Sequence, residues 1–248
     1  MTHSSSSTAF SPRQPGRLSR TIIRLLMKRA TVVRAGHVGE GFRDITLESP
    51  EFRNVTWAPG QKVQIALGSA FVTRTYTPIE WDAAKGQTRI FGFAHGAGPG
   101  SDWMRSVQPG DECGVFGPRA SLGMESISGP VMLFGDETSF GLARATLRQG
   151  RTRPVQCLFE VNAVEVARAV LEPLGLNAAE LFTRRPGDDH LREVERRLAT
   201  FATGGGVLVL TGKAASIQRL RQTLKVLDVP AARIMTKAYW ASGRAGLD

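Results

Sequence analysis

The sequence contains few of the residues that build disulfide scaffolds, metal clusters or membrane spans. It has two cysteines, Cys113 and Cys157, each inside an apolar segment typical of a strand, and its four histidines stand singly. These numbers exclude a disulfide framework and a zinc cluster, and they favour a reducing, cytoplasmic compartment. No run of about eighteen apolar residues occurs, so we expect no membrane-spanning helix. With 42% hydrophobic and 22% charged residues, the chain has the composition of a globular protein.

Acidic residues are absent from the first thirty residues, which carry six of the ten net positive charges. A net charge of +10 ordinarily suggests nucleic acid as a partner, but the remaining body is only mildly basic. Residues 1–20 are predicted to form a mobile basic tail, and residues 21–30 a short amphipathic helix. The acid-free start is also typical of organellar transit peptides, although nothing like a processing site follows. A secretory signal is not expected, because the apolar stretch is short and interrupted by charge.

Short β-rich segments separated by turns occupy the first half of the chain. This spacing predicts a closed or nearly closed antiparallel barrel. One helical segment is predicted near residues 100–107, with Ser101 as its N-cap. The predicted strands are 31–38, 42–49, 62–67, 71–77, 88–95 and 112–116. Pro78 is expected to end the fourth of them, because proline cannot donate to a sheet ladder.

After residue 128 the pattern changes to alternating strands and helices. The continuous apolar run "VMLFG" is typical of a parallel strand buried on both faces, and "VQCLFEV", "GVLVLTG" and "RIMTKAYW" are further strands. Helical spacing between the first three strands, and again before the last, predicts a parallel sheet covered by helices. We therefore expect a β-barrel domain over residues 21–128 and an α/β domain over residues 129–248.

The segment "RTYT", residues 74–77, ends a predicted strand with unusual side chains. Arg74 and Tyr76 project to the same face of a strand, where a guanidinium and an aromatic ring can contact phosphate and a flat ligand. On its own, an exposed arginine beside a packed tyrosine explains the segment equally simply. The strand therefore has two interpretations, a binding platform or an ordinary barrel strand.

Three further motifs follow along the chain. "HGAGPGSDW", residues 95–103, places glycines before a helix N-terminus, where free N–H groups and the helix dipole favour an anion. "LFGDETSFGLA", residues 133–143, is the turn at the carboxyl end of the first parallel strand, the place where ligands bind in open α/β sheets. "KAYWASGR", residues 237–244, places Tyr239 and Trp240 at the end of the last strand. Ordinary turn, capping and core roles also explain each motif taken alone.

In this order and at these separations, the motifs resemble those of the siderophore-interacting proteins, flavoproteins of the ferredoxin–NADP reductase superfamily. The resemblance covers about residues 20 to 244 and rests on the ordered set, since each motif alone is unspecific. It implies a barrel that binds FAD and an α/β domain that takes NADPH or NADH. The implied activity is hydride transfer to FAD, then single-electron transfer to a ferric siderophore, with no protein-bound metal.

The resemblance also implies roles for individual residues. Arg74 would contact the FAD phosphate, Tyr76 would pack against the isoalloxazine, and Thr77 would hydrogen-bond the flavin. Thr138 would lie near the nicotinamide and the flavin, and Trp240 near the exposed face of the flavin. No residue is expected to act as an acid or base. The other implied cofactor-binding residues are Thr75, His95, Gly96, Gly98, Pro99, Gly100, Ser101, Trp103 and Asp136.

The sequence departs from the family pattern at several positions. Ser139, Phe140 and Gly141 replace the usual Ala-Leu-Pro, Gly100 replaces a common alanine, and Lys213 replaces a common acidic residue. Most of these changes lie on the nicotinamide side, so they leave the choice of donor open.

Two further questions concern the ligands. Glu160 at the end of the second parallel strand would favour an unphosphorylated ribose, whereas Arg184 and Arg185 would suit a 2′-phosphate. Because ferric siderophores are often anionic, basic residues near the flavin are candidates to hold them. These candidates are Lys237, Arg244, Lys62 and Arg119.

Two alternatives to a siderophore reductase remain open. One is a general NAD(P)H:flavin or electron-transfer reductase with a protein or quinone acceptor. The other is a basic protein that binds nucleic acid or a membrane surface through its tail. The preferred prediction is a monomer that binds neither nucleic acid nor membrane.

Overall fold

A computed structural model provides the structure of the chain and describes residues 27–69, 72–149 and 153–243. The predicted tail, residues 1–20, and most of the predicted helix over residues 21–30 lie outside this range. The helix is wrong at its carboxyl end, where residues 28–30 begin the first strand. No helix within the described residues is both long enough and apolar enough to cross a membrane.

Seven antiparallel strands form the sheet of the first half. They are β1 (Lys28–Gly39), β2 (Phe42–Glu48), β3 (Lys62–Ser69), β4 (Val72–Tyr76), β5 (Pro78–Asp82), β6 (Gln87–Phe93) and β7 (Glu112–Arg119), and helix α1 (Pro99–Ser106) lies between β6 and β7. The sequence analysis missed β5. Pro78 does end the preceding strand, but it also begins a new one, at the first position of a strand where proline is tolerated.

In the strand order β4-β3-β7-β1-β2-β6-β5, strands β4 and β5 are the two edges of the sheet. The two edge strands, β4 and β5, are consecutive in the chain, and Thr77 alone connects them. The sheet must therefore curl until its two edges meet, which confirms the predicted barrel. The interior is filled by side chains that alternate along the strands, including Val32, Ile45, Val63, Ile65, Ile90 and Val115, each at most 1% exposed.

A five-stranded parallel sheet forms the second half, as predicted. Its strands are β8 (Val131–Gly135), β9 (Val155–Val161), β10 (Glu180–Thr183), β11 (Val207–Lys213) and β12 (Ile234–Trp240). Its helices are α2 (Phe140–Gln149), α3 (Val164–Leu171), α4 (Leu191–Thr203) and α5 (Ala214–Val226). Strand β10 and helix α4 were not predicted. β10 has only four residues, none of them buried, so it lacks the apolar run that marked the other strands.

The strand order β10-β9-β8-β11-β12 places a topological switch point between β8 and β11. Val131 and Leu133 of β8 pack on one face of the sheet with residues of α2 and α3. Met132 and Phe134 pack on the other face with residues of α4 and α5. In such sheets the crevice at the carboxyl ends of the strands beside the switch point is where ligands bind.

One apolar cluster joins the barrel to the parallel sheet. The ring of Phe140, at the start of α2, stacks on Phe42 of the barrel with centroids 5.5 Å apart, and it meets Phe159 of β9 edge-on at 4.8 Å. Gly141 lets α2 approach the barrel, because a Cβ there would lie 3.0 Å from Ile79 and 3.3 Å from the Phe91 carbonyl oxygen. Two of the departures from the family pattern, Phe140 and Gly141, are thus packing features.

The change of architecture falls between the end of β7 and the start of β8, at residues 119 and 131. The predicted division into domains at residue 128 stays a prediction, because the shared cluster crosses it.

We expect Phe140→Ala to lower the free energy of unfolding by about 3–5 kcal/mol, because it opens a cavity between the barrel and the sheet. Denaturant unfolding monitored by circular dichroism measures this loss. Val226→Ala, at a side chain 72% exposed on α5, is the control and should change stability by less than about 0.5 kcal/mol. A loss below about 1 kcal/mol for the Phe140 variant would contradict the proposed importance of this contact.

Candidate functional site

A cleft of about 210 Å³ lies where strand β4, the loop after β6, the turn after β8 and the end of β12 meet. The structure brings most of the predicted site residues together along its walls. These residues are Arg74, Thr75, Tyr76, Thr77, His95, Gly98, Pro99, Gly100, Ser101, Thr138, Lys237 and Trp240. They come from four segments distant in sequence, so the closed barrel and the shared apolar cluster together create the cleft.

Strand β4 supplies the barrel wall of the cleft. Tyr76 is half-buried and packs against Trp103 of α1, with ring centroids 5.6 Å apart. Burial raises the pKa of the Tyr76 phenol well above its ordinary value, so the hydroxyl stays protonated. Trp103 packs against the barrel core from α1, supports the tyrosine there and does not line the cleft.

Arg74 lies beside the first turn of α1. Its Nη1 donates to the carbonyl oxygen of Thr73 at 2.7 Å. A Cβ on Gly100 would lie 2.9 Å from Cγ of Arg74, so the glycine leaves room for the arginine stem. The guanidinium is thereby held next to the helix N-terminus.

The loop from His95 to Ser101 is shaped by two glycines in the left-handed region. Gly96 has φ 63° and Gly98 φ 135°, and a Cβ at either position would have no atom within 4 Å. The Ser101 hydroxyl donates to the His95 carbonyl at 2.7 Å and Arg105 Nη2 donates to the Gly96 carbonyl at 2.6 Å, which fixes the loop. The loop thus borders open space on its outer side.

No side chain caps the first turn of α1 at Gly98. Its uncapped backbone N–H groups and the positive end of the helix dipole make this turn suited to an anion. The other end of the helix is fixed by Arg43, which is 2% exposed and donates to the carbonyl oxygens of Arg105 and Val107 at 2.9 and 2.8 Å. The buried guanidinium of Arg43 thus pairs with carbonyl groups at the C-terminus of α1, whereas the N–H groups at its N-terminus stay available to a ligand.

Asp136 begins the turn after β8 and is completely buried. Its Oδ1 accepts from the Thr138 N–H at 2.9 Å and from the Thr138 hydroxyl, and its Oδ2 accepts from Trp240 Nε1–H at 2.7 Å. Burial raises the pKa of Asp136 to about 6, while these hydrogen bonds and Arg184 oppose the shift. Asp136 was predicted to bind the cofactor, but both its oxygens are occupied by protein donors.

Glu137 and Arg184 hold the same turn to the parallel sheet. The guanidinium of Arg184 donates to both Glu137 oxygens, at 3.0 and 2.8 Å, and to Asn162 Oδ1 at 2.9 Å. The side chain of Arg184 is 17% exposed, so most of this ion pair is shielded from water.

Glu160 is completely buried and accepts from Ser216 Oγ at 2.7 Å, and it contacts His190 Nε2 at 2.8 Å. Glu160 was predicted to contact the ribose of the nucleotide, and Arg184 its 2′-phosphate. Both side chains already have partners within the protein. Arg185 is exposed and is the remaining candidate. Lys213 pairs with Asp188 at 3.1 Å, which gives this departure from the family pattern a partner within the same chain.

The end of β12 covers the cleft. The indole of Trp240 lies against His95, with ring centroids 5.3 Å apart. Desolvation lowers the pKa of His95, so the imidazole is neutral at pH 7. Burial raises the pKa of Tyr239 to about 12, opposed by its hydrogen bond to Thr77. Tyr239 thus connects the last strand to the one-residue link between β4 and β5.

Two of the four predicted acceptor-binding residues, Lys62 and Arg119, are not in the cleft. Lys62 and Arg119 face each other on β3 and β7, and neither lines the cleft. The guanidinium of Arg119 lies 4.5 Å above the Phe116 ring and donates to Gln64 at 2.5 Å. Arg244 lies outside the described residues. Of the three that the structure describes, Lys237 alone lines the cleft.

Several lining residues were not predicted. They are Phe91, Gly92, Phe93, Ala97, Met104, Gly141 and Tyr239. The first three belong to β6, whose sequence indicates a strand but not what the strand faces. Within the described part of the chain, no group of three or more histidine, cysteine, aspartate or glutamate side chains is arranged to hold a metal ion.

Comparison with known proteins agrees with this geometry. Residues 67–122 match the family described as the siderophore-interacting FAD-binding domain. The chain is 28% identical over 176 residues to the NADPH-dependent ferric-chelate reductase of Escherichia coli (strain K12), across 68% of this chain and 66% of that reductase. The match thus spans just under two thirds of the length of that relative.

Solved structures of siderophore-interacting proteins share the fold. The protein SipS from Aeromonas hydrophila superposes with a TM-score of 0.67 at 20% identity, covering 88% of this chain and 94% of that one. A siderophore utilization protein from T. fusca gives a TM-score of 0.68 at 21% identity, with 89% and 95% covered.

These comparisons confirm the resemblance and the two-part fold predicted from the sequence, and the matched FAD-binding family agrees with the predicted cofactor, FAD. The prediction of an NAD(P)H-dependent flavoprotein oxidoreductase agrees with the same relatives.

We expect Arg184→Ala to lower the free energy of unfolding by about 3 kcal/mol, because it leaves the buried Glu137 carboxylate without its cation. Thermal and denaturant unfolding measure the effect, and Arg192→Ala, which breaks an exposed pair with Asp189, is the control. If Arg184→Ala is no more destabilising than the control, the ion pair does not hold the turn.

Proposed function

We propose that this chain is an FAD-dependent NAD(P)H:ferric-siderophore reductase that releases ferrous iron. One observation carries the proposal. A single cleft joins an arginine, an uncapped helix N-terminus and an aromatic strand of the barrel to the switch point of the parallel sheet. The match of residues 67–122 to the siderophore-interacting FAD-binding domain and the ferric-chelate reductase relative support it.

The residues of the barrel wall fit FAD. Arg74 and the N–H groups at the start of α1 would hold the pyrophosphate, and the open space beside Gly96 and Gly98 admits a ligand close to the backbone. Tyr76, supported by Trp103, would present its ring to the flavin. Thr77 would contact the polar edge of the flavin. Bound FAD supplies the chemistry, two-electron acceptance from a nicotinamide and one-electron donation to ferric ion.

The protein's own part is to bind, orient and exclude water. Both Asp136 oxygens are occupied by protein donors, so this carboxylate is not set up as a proton donor or acceptor for a substrate. Thr138, at the switch point, would lie between donor and flavin. Hard oxygen chelators hold the smaller, more charged ferric ion better, so one-electron reduction favours release of the iron.

We further propose NADPH as the preferred donor. The E. coli relative is NADPH-dependent. Glu160, the residue that would favour an unphosphorylated ribose, is buried against His190 and Ser216. Arg185 is exposed just beyond the carboxyl end of β10 and would contact the 2′-phosphate.

The acceptor is proposed to be an anionic ferric siderophore, with Lys237 as its contact in the cleft. A reductase with a protein or quinone acceptor would use the same donor side of the cleft. It would differ only in the molecule that approaches the flavin. Direct nucleic-acid binding has less support, because it rests on the basic start of the chain, most of which lies outside the described residues. A monomeric state and a cytoplasmic location stay predictions.

The first test concerns FAD. The purified protein should be yellow or should take up added FAD, and Arg74→Ala should weaken FAD binding about tenfold or more through loss of a charged phosphate contact. Flavin absorbance and fluorescence titrations measure the affinity. Arg221→Ala, at an exposed position on α5, is the control and should retain wild-type affinity. A folded Arg74 variant with unchanged FAD affinity would refute this assignment.

The second test concerns the acceptor. Steady-state rates with ferric siderophores, ferredoxin and quinone should favour the ferric chelate, and Lys237→Ala should lower kcat/KM for an anionic chelate several-fold. The deficit should shrink as salt is raised, because the contact is electrostatic. Reduction of every ferric chelate no faster than by free reduced flavin would rule out the siderophore activity.

A further inference from the structure

A buried polar pair lies at the carboxyl end of β9, outside the residues that line the cleft. Glu160 and His190 are 0% and 5% exposed, and the carboxylate contacts Nε2 of the imidazole at 2.8 Å. Ser216 of α5 donates to the other carboxylate oxygen at 2.7 Å. A buried carboxylate is costly unless it is hydrogen-bonded, so these two donors are required for Glu160 to lie here.

The hydrogen bonds of His190 determine which of its nitrogens carries the proton. The backbone N–H of Arg185 donates to Nδ1 at 3.2 Å. Because a backbone N–H can only donate, Nδ1 is the bare nitrogen and the proton of the neutral ring lies on Nε2. Nε2–H therefore donates to Glu160, and the imidazole connects the buried carboxylate to the backbone of Arg185.

Residues 184–190 form the loop between β10 and α4. Two of its residues lie in the left-handed region, Gly187 with φ 72° and Asp188 with φ 56°. Lys213 lies 3.1 Å from the Asp188 carboxylate, and Arg219 donates to the Asp188 carbonyl oxygen at 2.8 Å. A residue other than glycine is disfavoured in this region, so contacts from outside the loop are needed to keep its shape.

Arg185 is the residue of this loop that is available to a ligand. It is exposed, and its backbone is extended, with φ −125°. Among the described residues its guanidinium has no hydrogen-bond or ion-pair partner, whereas that of Arg184 is bound to Glu137. The bond from the Arg185 N–H to His190 fixes the backbone from which the free guanidinium projects. Such preorganisation reduces the entropy lost when the side chain binds a phosphate.

We propose that His190 is a positioning residue that sets the preference for NADPH over NADH, because its Nδ1 holds the backbone of Arg185 where the guanidinium meets the 2′-phosphate. The inference rests on the proposed function, which assigns the 2′-phosphate to Arg185, and adds the residue on which that contact depends. His190 itself touches neither cofactor. Glu160, which the sequence suggested would favour an unphosphorylated ribose, thereby supports the phosphorylated donor by holding the imidazole.

Two amide substitutions separate the roles of the two imidazole nitrogens. The amide of asparagine lies about where Nδ1 lies, so His190→Asn keeps an acceptor for the Arg185 N–H and loses the contact with Glu160. The longer glutamine reaches about as far as Nε2, so His190→Gln keeps the contact with Glu160 and loses the acceptor for Arg185. Both variants loosen the buried cluster, but only His190→Gln releases the backbone of Arg185.

Leu198→Ala is the matched control for a loss of stability. Leu198 is 0% exposed and lies on α4, the helix that follows His190. Its truncation leaves a cavity under the same helix and alters none of the hydrogen bonds of the loop.

The first measurement tests the geometry without any ligand. In ¹⁵N-labelled protein, two-bond ¹H–¹⁵N correlations show which imidazole nitrogen is protonated, and the His190 signals are assigned by their disappearance in His190→Gln. At pH 8 the wild type should have a protonated Nε2 and a bare Nδ1. A proton on Nδ1, or a ring that exchanges rapidly between the two tautomers, would overturn the proposal.

The second measurement is kcat/KM for NADPH divided by kcat/KM for NADH, on FAD-loaded protein with ferricyanide as the acceptor. Differences in FAD content cancel in this ratio. Arg185→Ala should lower the ratio about tenfold or more and His190→Gln about fivefold or more, through loss of a charged phosphate contact. His190→Asn and Leu198→Ala should stay within about twofold of wild type. Adding His190→Gln to Arg185→Ala should cause no further loss, because both act through one contact.

The third measurement removes flavin chemistry from the comparison. Isothermal titration calorimetry gives the affinities of 2′,5′-ADP and 5′-AMP, which differ only in the 2′-phosphate. The ratio of the two affinities should fall in Arg185→Ala and His190→Gln and stay near the wild-type value in His190→Asn and Leu198→Ala.

Failure of the proposed function and failure of this inference give different results. Wild-type protein that takes up no FAD, or that reduces it equally fast with NADH and NADPH, refutes the assigned reaction or its donor, and the role of His190 with it. A preference for NADPH that is lost in Arg185→Ala but unchanged in His190→Gln overturns the role of His190 alone. Equal losses in His190→Asn, His190→Gln and Leu198→Ala also overturn it, because they indicate an effect of stability only. If His190→Gln does not fold, His190→Phe, which has a ring without either nitrogen, replaces it with the same expected loss.

Discussion

The shared apolar cluster around Phe140 is the contact on which the rest of the structure depends. It fixes helix α2 to the barrel through Phe42 and to the parallel sheet through Phe159. The turn that contains Asp136 and Thr138 comes directly before this helix, so its position relative to strand β4 is set by the same packing. The cleft is built from both halves and would have no fixed width without it. Because core packing is tight, a small change at this cluster is transmitted to the site.

Much of the fold followed from the sequence because its two halves have different periodicities. Alternating short strands indicated the barrel, and continuous apolar strands with helices between them indicated the parallel sheet. The errors have physical reasons. Pro78 ends one strand and begins the next. A rule that treats proline only as a strand breaker predicts the end of β4 but not the start of β5. Strand β10 is too short and too exposed to show a pattern, and residues 28–30 have a helical spacing that pairing with β7 overrides.

The candidate site was less predictable, because the partners of its charged residues are distant in sequence. Arg74, Tyr76 and the glycine loop, which the resemblance grouped together, line the same cleft. Local patterns did not show that Glu160 lies against His190 and Ser216, or that Arg184 belongs to Glu137. Asp136 was assigned to the cofactor for the same reason, since a carboxylate at the end of a strand gives no sign of an indole 104 residues away. Tyr239 was recognised as part of an aromatic pair, but its contact with Thr77 depends on how the barrel closes.

The one-residue link at Thr77 gives the barrel a seam. Strands β4 and β5 meet there without being ladder partners, so backbone pairing does not close the cylinder at this line. Tyr239, from the second half of the chain, hydrogen-bonds Thr77 at this seam. A ligand lying along β4 and against the loop after β6 would span the same seam and hold its two sides together. The ligand-free protein should therefore open first at this seam, and cofactor binding would be linked to the mechanical integrity of the barrel as well as to catalysis.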